Sequence, residues 1–245
     1  QGDAIFVQTP GGRQVLIDGG PDKTILRRLG EVMPFFDRTI DLIVATHPDI
    51  DHLAGLVEVL KKYEVASIVE TGMECATALC AEWERIEPEE HAQIYYGILG
   101  QEIEVEKGVK FTILSPFFDE YHKKISTRNN GGVVLKLRYG NQAVLLTGDI
   151  ESPVEKKMLL SNVNLRADFL KIAHHGSKTS TTEDFLKAVS PKIAFIEVGE
   201  NNRYGHPTVE VLDRLEKFQI PYYRTDTDGT IELVLDGKNY SIKKK

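Results

Sequence analysis

The sequence has no apolar run near the roughly 18 residues needed to span a bilayer, and no signal-peptide pattern. The first absence excludes a membrane-spanning helix within this sequence. It has no internal repeat, low-complexity tract or linker-like stretch, so nothing in its pattern divides it. It also has no excess of Lys and Arg. Thirty basic residues against 37 acidic ones leave a net charge of -7, the wrong sign for holding phosphate through side chains alone. Bound divalent cations would offset part of that deficit. Cysteine is scarce: only Cys75 and Cys80 occur. Five apart in a helical pattern they face each other poorly, so they are expected as separate core or surface thiols that say little about redox compartment.

What is present is ordinary for a globular chain. Of 245 residues, 41% are hydrophobic and 27% charged, enough for a sizeable core and a single domain over residues 1–245. The chain opens at Gln1-Gly2-Asp3 and runs straight into an apolar strand, as the interior of a longer protein or a trimmed one would. Short apolar strands alternate with amphipathic helices. AIFVQT and QVLID read as strands paired across the turn at Pro10 to Gly12. DLIVAT is a buried strand that delivers its end to His47, and LAGLVEVLKKY follows as a helix. In the second half QAVLLTGD, DFLKIAHH and KIAFIEVG read as strands, with helices starting at Pro153, Thr182 and Thr208. The alternation predicts one α/β domain, with two sheets face to face and helices outside.

Four short motifs carry chemistry. THPDIDHLAG puts His47, Asp49, Asp51 and His52 between a strand and a helix. Residues 47, 49 and 51 share a direction while the chain is extended, and His52 adds to the pair with Asp51. Capping aspartates alone would explain one Asp, not this set. LLTGDI ends an apolar strand at Asp149, a position that suits either a ligand or a turn aspartate. KIAHHGSKTS ends another at His174 and His175. Consecutive residues at a strand end point to opposite sides, so one of the two is expected to reach a metal. NNRYGHP places His206 before Pro207, where it is either a functional side chain or a residue preceding a helix start.

Taken together, HPDIDH, GD, HHGS and YGHP resemble the metallo-β-lactamase superfamily, and more narrowly the β-lactamase-like domain of ComEC-type competence proteins. The likeness runs through QGDAIFVQTPGGRQVLIDGG, TRNNGGVVLKLRYGNQAVLLTGDI, DFLKIAHHGSKTS and YYRTDTDGTIEL. It implies an αββα sandwich with a metal site at one edge. It implies two divalent ions, Mn²⁺ or Zn²⁺: His47 and Asp49 on the first, Asp51, His52 and His174 on the second, Asp149 bridging. Asp18 would support the metal loop without binding metal. Asn130, His175, Ser177, Lys178, Asn202, Tyr204 and His206 would line the substrate side, and Asp51, Asp149 and His206 would serve the reaction. Asp49 stands where the wider superfamily has His. STRNNGG has Asn129 and Asn130 where the superfamily has a ligand His, and Gly132 where the ComEC-like pattern has Ser.

Two metals with hard ligands generate hydroxide near neutral pH and clamp an in-line displacement. The resemblance implies a nuclease or phosphodiesterase acting on DNA as a monomer, on the extracytoplasmic face of a membrane and joined to membrane segments in a longer protein; outside the ComEC branch the expectation is a soluble protein, cytoplasmic or secreted. Lys178, the hydroxyls after it and Tyr204 suit phosphate and base contacts, although a polar loop with a helix cap has the same composition. A small-molecule metallo-hydrolase acting on a lactone, ester or β-lactam is the alternative that the acidic charge favours. A non-catalytic metal-binding scaffold is the other.

Overall fold

The structure, a computed structural model, describes residues 1–87, 91–117 and 128–245. Ser126 and Thr127 of the STRNNGG motif lie outside the described residues. The chain's contacts gather into two compact units. The first holds Gly2–Ile98 and Pro116–Val133; the second holds Gln1, Leu99–Ser115 and Val134–Lys245.

In the first unit, β1 (Ile5–Gln8) pairs antiparallel with β2 (Gln14–Ile17), as the Pro-Gly-Gly turn predicts. α1 (Thr24–Val32), β3 (Thr39–Ile40), β4 (Leu42–Val44), α2 (Ile50–Leu60), β5 (Glu64–Val65), β6 (Ser67–Glu70), α3 (Ala78–Ile86) and β7 (Gln93–Tyr96) follow. β2, β4, β6 and β7 run parallel, giving the order β1-β2-β4-β6-β7. β2 and β4 are buried at every position, the continuous apolar reading of strands covered on both faces. α2 buries Leu53, Leu56, Val57 and Leu60, spaced as one helical stripe. β7 was invisible to the periodicity argument, because QIYY at the sheet edge is largely exposed and has no apolar alternation.

The expectation of two separate thiols is wrong. Cys75 and Cys80 form a disulfide, with Cα atoms 5.9 Å apart. The two cysteines do not share a helix, because α3 starts only at Ala78, after an N-cap at Thr77 that accepts from Cys80 N. Cys75 therefore lies in the non-helical approach, where it can turn back onto the first helical turn.

In the second unit, β8 (Glu102–Glu106), β9 (Val109–Ser115), β10 (Val134–Tyr139) and β11 (Gln142–Leu146) form an antiparallel run. Then α4 (Ser152–Leu160), β12 (Phe169–Lys171), α5 (Glu183–Val189), β13 (Ile193–Ile196), α6 (Val209–Lys217) and β14 (Tyr222–Arg224) alternate. β11, β12, β13 and β14 are parallel neighbours. α7 (Thr225–Asp228) and the hairpin of β15 (Ile231–Leu235) and β16 (Tyr240–Lys244) close the chain. Pro153 stands in the first turn of α4, and Thr182 caps α5 by accepting from Phe185 N.

A backbone clasp in the first unit fixes the start of α2. Gly19 N donates to His52 O at 2.8 Å, and Gly55 N donates to Gly20 O at 2.9 Å. A Cβ at Gly55 would collide with the carbonyl oxygen of Gly19. Helix propensity favours Ala over Gly by about 1 kcal/mol, but a backbone oxygen held by the clasp has nowhere to go. Gly55→Ala is expected to lose about 1–3 kcal/mol of stability, read as a lowered denaturant midpoint. An unchanged or raised midpoint would contradict the clasp.

Candidate metal centre

In the first unit β2 and β4 run in register, Ile17 opposite Val44. Asp18 and Thr46 therefore leave the same end of the sheet, at strand carboxyl termini, where α/β folds place ligands. Asp18 has φ +57° and donates its N–H to Val44 O at 2.9 Å. Its buried carboxylate is a hub. Oδ1 accepts from Thr46 N at 2.8 Å, and Oδ2 accepts from Thr46 Oγ1 and from His52 Nδ1, both at 2.7 Å.

Those contacts dictate two histidine tautomers. A carboxylate only accepts, so His52 Nδ1 carries a proton, and in the neutral ring Nε2 keeps the lone pair. The Thr46 hydroxyl has one hydrogen, committed to Asp18. Its 3.0 Å contact with His47 Nδ1 must then run with the imidazole as donor, which leaves the lone pair on His47 Nε2 as well. The two rings stack obliquely, centroids 4.1 Å apart, and both are buried.

The carboxylates of this unit differ from one another. The extended stretch ends at Asp49, the N-cap of α2. Asp51 and His52 thus stand in the first helical turn, and the alternation expected over 47, 49 and 51 holds only as far as 49. Asp49 Oδ2 lies 3.9 Å from His47 Nε2, while its Oδ1 pairs with Arg128 at 2.8 Å. Arg128 also donates to Pro48 O at 3.3 Å. Arg128 escaped the sequence reading, its partners being some eighty positions away. Asp3 escaped it too. Buried, it hydrogen-bonds its N–H to Asp51 O and brings Oδ2 to 3.9 Å from His52 Nδ1. Asn129 and Asn130 sit in a 3₁₀ turn over Arg128–Gly131. Val133 N then donates to Thr46 O at 2.9 Å, which anchors that turn beside the HPDIDH strand end. A Cβ on Gly132 would come 3.1 Å from Asn129 O, so a Ser there would need a slight shift.

In the second unit the parallel strands again end in polar residues. Beyond β11 lies Asp149, beyond β12 the two histidines, beyond β13 Glu197. His174 and His175 adopt left-handed backbone angles, φ 50° and 53°. Strand alternation therefore does not govern their directions. His175 is buried and brings Nε2 to 3.3 Å from Asp149 Oδ2. Its Nδ1 lies 2.8 Å from Glu197 O. A carbonyl oxygen only accepts, so Nδ1 holds a proton, and in the neutral ring Nε2 keeps the lone pair. His174, expected as the ligand, turns its Nδ1 to Glu151 Oε1 at 3.6 Å and is partly exposed.

His206 has the opposite polarity. Gln1 Nε2 approaches its Nδ1 at 3.1 Å. An amide nitrogen donates, so Nδ1 accepts and Nε2 carries the hydrogen. Burial holds the His206 pKa below the usual imidazole value, reinforced by the neighbouring His174 and His175. Asn202 holds the turn: its Nδ2 donates to His206 O and Gly199 O, and its Oδ1 accepts from His206 N. Tyr204 is exposed, stacks 5.9 Å from His206 and receives a bond from Arg203 at 3.3 Å. Ser177 is buried in a local turn with Thr179, at 3.0 Å between hydroxyls; Lys178 is exposed.

This donor set fits divalent metal. His47, His52 and His175 each commit Nδ1 to a protein acceptor, the arrangement that orients metal-binding imidazoles. Asp149 Oδ2 and His175 Nε2 are two lone-pair atoms at 3.3 Å, a contact that a cation or proton between them makes favourable. Carboxylate and imidazole donors without thiolate suit a borderline or hard cation. Buried Asp and His side chains capable of holding metal occur in both units, Asp3 and His52 in the first, Asp149 and His175 in the second.

Comparison with known proteins agrees. The metallo-β-lactamase superfamily profile matches residues 1–199. ComE operon protein 3 of Bacillus subtilis is 33% identical over 95% of this chain, and competence protein ComA of Neisseria gonorrhoeae 30% identical over 96%. The chain spans 31% of the length of each. Among solved structures, the metallo-β-lactamase fold protein YhfI from Bacillus subtilis superposes with a TM-score of 0.59 at 12% identity, over 91% of this chain and 88% of that one. The α/β fold expected from the strand and helix pattern is therefore the metallo-β-lactamase fold, and the chain belongs to the metallo-β-lactamase superfamily of metal-dependent hydrolases, with ComEC-type competence proteins as its relatives.

Proposed function

We propose that this chain is a metal-dependent phosphodiesterase that cleaves DNA. The observation that carries the reading is the hydrogen-bond hub on Asp18, which sets the lone pairs of His47 and His52 on Nε2. The DNA assignment rests on the kinship with competence proteins. The ligand set is His47, Asp49, Asp51, His52 and Asp149, with His175 taking the role first given to His174, and with Asp3 as a further carboxylate. A pair of divalent ions, when bound, lowers the pKa of a water molecule and neutralises phosphate charge. The chain's own part is to hold the imidazoles in one tautomer, to keep the carboxylates in place, and to offer the His206 Nε2 hydrogen as a donor to a leaving oxygen. Arg128, Lys178 and Tyr204 supply exposed cations and an aromatic face for a nucleic-acid strand.

A small-molecule hydrolase is less well supported. The cavity beside His47, lined by Pro48, Thr71, Met73 and the disulfide, measures about 70 Å³, well below the roughly 300 Å³ of small-molecule sites. The Cys75–Cys80 bridge suits an oxidising compartment, which supports an extracytoplasmic location as part of a longer, membrane-joined protein. A monomeric state is part of the same proposal.

Asp149→Asn should abolish cleavage of single- or double-stranded DNA by several orders of magnitude while the circular dichroism spectrum stays unchanged. Near-wild-type turnover by the folded, metal-loaded variant would refute the two-metal reading. Asp18→Asn leaves every proposed ligand side chain in the sequence, yet it replaces one accepting oxygen by a donor at the hub. It should cost about 10–100-fold in Mn²⁺ affinity by calorimetry; an unchanged affinity would show that the hub does not set the imidazoles. Asp49 adds a hard oxygen donor where an imidazole is the commoner choice, so Mn²⁺ should support faster turnover than Zn²⁺ in stripped protein, and Asp49→His should narrow or reverse the gap. Equal responses to both metals in both proteins would remove Asp49 as the determinant.

A further inference from the structure

Lys171 is the third residue of β12 and is 2% exposed. Lysine is almost never buried to that degree unless its charge is paired. Its Nζ donates to Gly148 O at 3.0 Å and lies 3.7 Å from Asp149 Oδ1. Thr147 Oγ1 donates back to Lys171 O at 2.7 Å, so the end of β11 and the end of β12 are tied in both directions. The other oxygen of the same carboxylate faces His175 Nε2 at 3.3 Å, and His175 is itself held through Nδ1 by Glu197 O. Asp149 thus has an ammonium beside Oδ1, while its Oδ2 faces the Nε2 edge of His175.

We infer that Lys171 is a positioning residue for the metal centre, acting through Asp149. The inference rests on the metal-site reading above. A side chain so deeply buried cannot touch a polymeric substrate, and its ammonium lies 3.7 Å from the Asp149 carboxylate. The ammonium compensates the buried charge of Asp149 when no metal is bound and fixes the rotation of the carboxylate about its Cα–Cβ and Cβ–Cγ bonds. Oδ2 is then presented beside His175 Nε2 before a cation arrives, so the carboxylate need not reorient on binding. A residue that merely closed the Thr147-Gly148 turn would need only the hydrogen bond to Gly148 O. Charge acting on Asp149 separates the two roles.

The test compares Lys171→Gln, which can keep a bond to Gly148 O but carries no charge, with Lys171→Met, which keeps neither. Mn²⁺ binding is measured by calorimetry and by the electron paramagnetic resonance spectrum of the bound ion, with no nucleic acid present. Both variants should lose about 10–100-fold in Mn²⁺ affinity and show an altered Mn²⁺ spectrum. In an Asp149→Asn background, Lys171→Gln should have little further effect. If Lys171→Gln alone fails to fold while Lys171→Gln/Asp149→Asn folds, the uncompensated Asp149 charge is the cause, and the inference stands. Wild-type affinity in folded Lys171→Gln would overturn it, as would an equal loss in the Asp149→Asn background. Absence of DNA cleavage by the wild-type protein would refute the phosphodiesterase reading and leave this result untouched.

Discussion

A buried carboxylate that accepts three hydrogen bonds organises the histidines of the first unit. Asp18 takes the backbone N–H and the hydroxyl of Thr46 and the Nδ1–H of His52. Each bond is short, and all lie in the interior, where charge-assisted bonds are strongest and an unmade one costs most. The hub joins the end of β2 to the end of β4 and the first turn of α2, some thirty residues further along the chain. Its reach extends through the Thr46 hydroxyl to His47. Hydroxyl polarity is the transmitting step, since a single hydrogen given to Asp18 obliges Thr46 to accept from His47.

The backbone around the hub is arranged to keep it there. Asp18 takes a left-handed φ, and the two glycines after it bond to His52 O and receive Gly55 N. Bulk at Gly19 or Gly55 would separate the loop from α2 and pull His52 from Asp18. The second unit reaches a comparable result by other means. There the carbonyl of Glu197 does for His175 what Asp18 does for His52, and Lys171 stands behind Asp149. Lone pairs are directed in both units, by a carboxylate in one and by a main-chain oxygen in the other.

Much of this was legible in the sequence, for identifiable reasons. HPDIDH, LLTGD and HHGS sit at strand ends because buried parallel strands are continuous apolar runs that stop where polar loops begin. Asp18 was visible only through family likeness, since one aspartate after a strand carries no signal of its own. Other features were hidden because they depend on local geometry. The histidine beside Asp149 is His175 because the chain leaves β12 in a left-handed turn instead of continuing extended. The cysteines are bridged because α3 begins three residues after Cys75. Arg128 finds Asp49, and Asp3 finds His52, across separations that no periodicity spans. Lys171 occupies an otherwise apolar strand, where a single cation looks like an exception until its carboxylate partner is seen.

Nitrogen-detected NMR of the histidine side chains reads the positions of the ring hydrogens directly. In metal-free protein labelled with ¹⁵N, long-range proton–nitrogen correlations should show His47, His52 and His175 with hydrogen on Nδ1 and Nε2 unprotonated, and His206 with the reverse. Addition of Mn²⁺ should then broaden the Nε2 signals of the first three. Hydrogen found on Nε2 of His47 and His52 in the folded, metal-free protein would contradict the hub and the metal centre built on it.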